Sequence, residues 1–79
     1  MKEIYIFYSC DEWKSISSMK LIMASTSKFK IIRGLKKELQ SNNMELDLPI
    51  KELNKVEIER INNNLTYGFI KIVSDGEKQ

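Results

Sequence analysis

One cysteine, Cys10, and no histidine occur in the 79 residues. No disulfide closes within one such chain, and neither a histidine nor a multi-cysteine zinc site can form. Domains of this size commonly rely on such a staple or on a partner subunit. A chain this short buries little surface, and its stability is expected to be marginal. One small core must hold it, and association with further copies is the natural way to add buried surface. A single domain over residues 1–79 is expected. The lone thiol fits a reducing compartment. No stretch approaches the ~20 apolar residues of a membrane span, and the chain opens on a strand pattern rather than a secretion signal. The expectation is a cytoplasmic protein without membrane contact.

The pattern of apolar residues predicts the order β-β-α-β-α-β. Residues 3–9, EIYIFYS, are rich in β-branched and aromatic side chains and read as a first strand. Ile4, Ile6 and Tyr8 share one face; Tyr5, Phe7 and Ser9 share the other. Residues 19–24 read as a second strand. Between them, residues 10–18 form a loop longer than a tight hairpin turn. Phe29, Ile32, Leu35 and Leu39 then recur at helical spacing, with Thr26 or Ser27 as N-cap and Asn42 or Asn43 fit to end the helix. Met44, Leu46, Leu48 and Ile50 alternate with polar residues, which predicts a strand over 44–52, at a sheet edge because of Pro49. Asn54 and Glu57 have capping-box spacing before a short helix over 55–63. Residues 66–73 read as the last strand, and residues 74–79 as a frayed polar tail.

These elements predict an α+β fold: an antiparallel or mixed sheet of three to four strands with two helices on one face. The helices cover only one face. Tyr5, Phe7 and one side of the last strand are expected to stay uncovered unless another chain packs there, which favours a homo-oligomer.

Charge is placed unevenly. Residues 27–37 hold five bases (Lys28, Lys30, Arg33, Lys36, Lys37) and no acid, whereas residues 38–59 hold six acids and two bases. A net charge of +2 with this asymmetry suits one anionic partner better than duplex nucleic acid. Lys30, Arg33 and Lys37 lie off the apolar stripe of the helix, as a solvated face or an anion site.

Catalysis finds little support. The Ser-His and Cys-His pairs have no base. Cys10 is either a thiol activated by Lys14 or a partly buried thiol at a strand end. Asp11 with Glu12, or Asp75 with Glu77, are acid pairs to consider for a divalent ion, but neighbouring side chains usually diverge and solvated acids are the expectation. No glycine-rich phosphate loop exists. No enzyme activity, metal or cofactor is expected.

The loop is the remaining feature. Trp13 offers a stacking face, Lys14 a charge, and Ser9, Ser15, Ser17 and Ser18 hydroxyls. If the loop folds toward the capped start of the first helix, Trp13, Lys14, Ser15, Lys28 and Arg33 line an anionic pocket. The alternative is that Trp13 plugs one end of the core and the serines are ordinary loop residues. Gly68, between Tyr67 and Phe69, marks a close approach by another group.

Tyr5, Tyr8, Ser9, Asp11, Trp13, Lys14, Ser15, Ser18 and Met19 spell Tyr-x-x-Tyr-Ser-x-Asp-x-Trp-Lys-Ser-x-x-Ser-Met. With residues 42–46 and 65–77, this motif resembles a family of small phage and prophage proteins of low-GC Gram-positive bacteria. The resemblance implies an accessory protein acting in the cytoplasm of an infected host cell, where such proteins counter host defence. It carries over no catalytic role. Tyr8, Ser9, Asp11 and Ser18 join the pocket residues as the expected ligand-binding set. The expected function is sequestration of a nucleotide-derived immune signal. The alternative is inhibition of a host defence nuclease by protein–protein contact.

Overall fold

The structure is a computed structural model that describes residues 3–74. Strands β1 (Glu3–Ser9), β2 (Lys20–Ser25) and β5 (Gly68–Ser74) form an antiparallel sheet in the order β2-β1-β5. Helices α1 (Lys28–Gln40) and α2 (Ile58–Asn64) pack on one face of it, and β3 (Glu45–Leu46) pairs with β4 (Leu65–Thr66) in a separate two-stranded ribbon. The fold is α+β, as the periodicities predict. The acid pair Asp75 and Glu77, and the tail beyond Ser74, lie outside the described residues; Ser74 itself ends β5.

The core joins Phe7 of β1 and Ile70 of β5 to Ile31, Ile32 and Leu35 of α1 and Ile58 and Ile61 of α2. Phe7 stands opposite both Ile70 and Met23, so these three side chains share the helix-covered face. The uncovered face is therefore the reverse of the one expected. It carries Ile4, Ile6 and Tyr8 with their β5 partners Val73, Lys71 and Phe69, while Phe7 is fully buried. Alternation put the two sets on opposite faces correctly; the helices chose the face with the larger single plug.

Helix α1 starts at Ser27, whose hydroxyl accepts the Lys30 N–H, and ends where Asn42 turns left-handed at φ 61°. Its buried stripe is centred on Ile31, Ile32 and Leu35, which leaves Phe29 pointing outward at 68 % exposure. At roughly 100° per residue, Phe29 lies about a third of a turn from that centre.

Three further expectations are corrected. The strand over 44–52 survives only as β3, because Pro49 opens a 3-10 turn over Ile50–Lys55 that drops Leu53 into the core. Asn54 lies within that turn, so no capping box forms: Glu57 is the N-cap of α2, with no side-chain bond. The last strand breaks at Tyr67, where φ is 74°, and the chain crosses from β4 into β5. Gly68 is buried there; a Cβ at this position would meet the Met44 sulfur at 2.5 Å. The close approach expected of Gly68 is made by the core.

The two edges of the main sheet differ. At β5, the Asn62 side chain donates Nδ2–H to the Ile70 carbonyl and accepts the Ile70 N–H, both at 2.8 Å. That amide acts as a short surrogate strand. At β2, no strand pairs with the outer side among the described residues. A bulge at Ile22 leaves Met23 to Ser25 as the regular part of this edge.

Candidate functional site

Residues 10–19 carry the hydrogen-bonding groups that drew attention in the sequence. The side chains of Asp11, Ser15 and Ser18 are turned inward on the loop, whereas Glu12, Trp13 and Ser17 are exposed. The Asp11 carboxylate accepts the backbone N–H of Trp13 at 3.1 Å, that of Ser15 at 3.0 Å, and the Ser15 hydroxyl at 2.7 Å. The Ser18 hydroxyl accepts the Asp11 N–H at 3.0 Å and donates to the Ser15 carbonyl at 2.8 Å. The short 3-10 turn Ile16–Ser18 is held by these bonds. The Ser15 hydroxyl, then the Ser15 N–H, hold the Asp11 carboxyl below the usual carboxylate range.

Lys14 is equally occupied. Its Nζ donates to the Asn62 carbonyl at 2.7 Å and the Leu65 carbonyl at 2.8 Å. A cation on the carbonyls that end a helix satisfies orphan acceptors and the negative dipole end together. To reach them, Lys14 adopts φ 55°, a left-handed conformation that a side chain makes costly. Lys14 thus ties the loop to the end of α2, and Asn62 ties that end to β5. The Cys10 N–H adds a bond to the Tyr67 carbonyl at 3.1 Å. Burial pushes the Cys10 thiol up, and the Lys14 charge pulls the other way without prevailing. The arrangement favours the thiol over the thiolate.

The expected pocket of Trp13, Lys14, Ser15, Lys28 and Arg33 is not assembled. Strands β1 and β2 run antiparallel, so the loop that joins them lies at one end of the sheet and the start of α1 at the other. Five strand steps separate these ends by roughly 17 Å. Lys28 donates Nζ–H to the Val56 carbonyl at 2.8 Å and so ends the 3-10 turn before α2. Of the nine expected residues, Asp11, Lys14, Ser15 and Ser18 come together, and they bind one another or the α2 end. Ser9 sits half-buried at the end of β1 opposite Gly68. Tyr8 lies on the uncovered sheet face, in a groove of about 430 Å³ shared with Ile16, Met19, Phe69 and Lys71. Trp13 is 78 % exposed, which excludes it as a core plug. Arg33 belongs to a different groove.

That groove, about 350 Å³, runs between α1 and β2 and is lined by Met23, Lys30, Arg33, Gly34 and Lys37. Its floor is made by close packing: a Cβ on Gly34 would stand 2.6 Å from the Met23 sulfur. Lys30, Arg33 and Lys37 fall on one side of α1, where spacings of three and four residues bring side chains together. Among the described residues, no hydrogen bond engages these three cations as Lys14 and Lys28 are engaged. The expected ligand-binding set named Arg33 but not Lys30, Lys37, Gly34 and Met23 beside it. The signal was present in the basic helix face and in the glycine beside it.

Fold and site define an α+β domain with a self-bonded loop at one sheet end and a basic groove along one sheet edge. Comparison with protein-family models, with curated proteins and with solved structures finds no match to this chain.

Proposed function

We propose that this chain is a non-enzymatic binding protein that captures an acidic segment of a partner protein in the groove between α1 and β2. The observation that carries the reading is the row Lys30, Arg33 and Lys37 around that groove, beside a sheet edge with no partner strand among the described residues. Such a row attracts and orients carboxylates. Sequestration of a nucleotide-derived signal, the first expectation, has less support. Of the groups assigned to phosphate, Lys14, Ser15 and Ser18 are engaged within the loop and at the α2 end and Lys28 on the Val56 carbonyl; Arg33 alone of them lines the basic groove, and no aromatic ring lines it with Arg33. In the setting implied by the phage-like motif, the acidic partner is a host defence protein, met in the host cytoplasm and blocked by occupancy.

Calorimetry against a Glu-rich peptide and a panel of cyclic and linear nucleotides tests this. The expected result is saturable peptide binding that weakens steeply between about 0.05 M and about 0.5 M salt and is lost in Lys30→Glu/Lys37→Glu. A nucleotide that binds while the peptide stays silent would overturn the reading.

A further inference from the structure

The open edge of β2 and the basic row lie side by side, and their geometry specifies what fits both. The Asn62 clamp takes both backbone groups of Ile70, so those groups point away from β1. In an antiparallel ladder the direction alternates. Phe7, opposite Ile70, therefore directs its groups to β2, and Met23, opposite Phe7, returns them to β1. The N–H and C=O of Ala24 then point outward, with no strand beyond them among the described residues. Ala24 is exposed and adds no charge to guard the edge.

We infer that the free edge of β2 takes an added strand from an acidic partner, with carboxylates on alternate residues facing Lys30, Arg33 and Lys37. This rests on the acidic-partner reading and gives it a binding mode, main-chain pairing at a sheet edge. The spacing fits. Lys30 to Lys37 spans about 10.5 Å along α1 at ~1.5 Å per residue. Alternate strand residues stand about 6.8 Å apart, so two carboxylates fit along the row. The side chains between them would lie on the opposite sheet face, beside Leu21 and Ile22, both exposed. An alternating acidic and apolar segment is thus selected. The regular edge is short, and the charge contacts supply what three residues of ladder leave wanting.

A second copy is the weaker occupant. Two β2 edges paired antiparallel would set both α1 helices on one face, with their basic rows opposed. The chain's own residues 44–48 have the alternating pattern, but Met44 is buried and Glu45 already pairs with Thr66.

The test is NMR on the intact chain with a capped heptapeptide of alternating Glu and Val. Its binding is expected to slow exchange of the Ala24 amide by about tenfold or more. A Lys and Val peptide should not bind. Ala24→Pro removes the outward N–H and should weaken the Glu and Val peptide by roughly tenfold or more. Should Ala24→Pro unfold, N-methylation of the peptide decides: methyls on one alternate set abolish binding, and those on the other set do not. Binding that perturbs Lys30, Arg33 and Lys37 but leaves Ala24 exchange unchanged would overturn strand addition and leave the acidic-partner reading standing. Absence of peptide binding would overturn both. An Ala24 amide already protected in a peptide-free dimer would give the edge to a second copy, against the inference.

Discussion

The loop over residues 10–19 and the groove between α1 and β2 are opposites in what they show and what they leave free. The loop displays the richer chemistry in sequence, with a tryptophan, a lysine, an aspartate and serines. Folded, the Asp11, Ser15 and Ser18 side chains bond within the loop and Lys14 caps α2. The groove reads as an ordinary basic helix face beside an ordinary strand. Folded, it keeps three cations around an open pocket. A cluster of hydrogen-bonding side chains is as often a device for building a loop without a tight turn as it is a ligand site. What distinguishes the two is whether donors and acceptors are already satisfied.

Changes in the loop and its anchors should therefore cost stability, and changes in the groove should cost binding. The largest effect is expected for Asn62→Ala. It strips both partners from the backbone of buried Ile70, a loss of about 2–3 kcal/mol, readable in urea denaturation. It also opens the β5 edge, so sedimentation should show more association at a given concentration than the parent chain does. Next comes Lys14→Met, which leaves the α2 carbonyls without their cation while the left-handed backbone remains. It should lower stability by about 1–2 kcal/mol. The same change removes the charge that pulls the Cys10 pKa down, so alkylation of Cys10 at fixed pH should slow further.

A smaller effect is expected in acid. The folded pKa of Asp11 lies below its unfolded value. Its contribution is therefore present above the ordinary carboxylate pKa of about 3.9 and is lost as pH falls through the folded value. Ser15→Ala should flatten that acid limb of a stability–pH profile; an unchanged limb would assign the depression elsewhere. The smallest effect belongs to Trp13→Ala, within about 0.5 kcal/mol, because the ring is exposed and packs on no core residue. A cooperative loss of structure in Trp13→Ala would break the comparison at its most visible residue.

Much of the scaffold was legible. The 3.6-residue stripe, its serine cap and the asparagine at its end marked α1, because all three act locally. Strand β1 and the two-faced character of its alternation were legible for the same reason. The loop's position relative to α1 was also implied, since a hairpin sends its loop and its outgoing chain to opposite ends of a sheet. Composition drew the eye to a pocket that this topology forbids. Other features had no local signal. Nothing in three consecutive asparagines, Asn62 to Asn64, marks Asn62 as the one that closes an edge. Nor does Tyr67 advertise its positive φ; the crossing from β4 to β5 is imposed by the buried neighbours of Gly68. Burial of Leu53 through a 3-10 turn overrode the alternation that predicted a longer strand.

The most direct measurement is calorimetric titration of the alternating Glu and Val peptide into two variants, Lys14→Met and Lys37→Glu, each checked by thermal melting. Lys14→Met is expected to melt earlier and bind the peptide as the parent does. Lys37→Glu is expected to melt with the parent and bind roughly tenfold or more weakly. The reverse pattern, with binding lost in a fully folded Lys14→Met and kept in Lys37→Glu, would return the site to the loop and contradict the account.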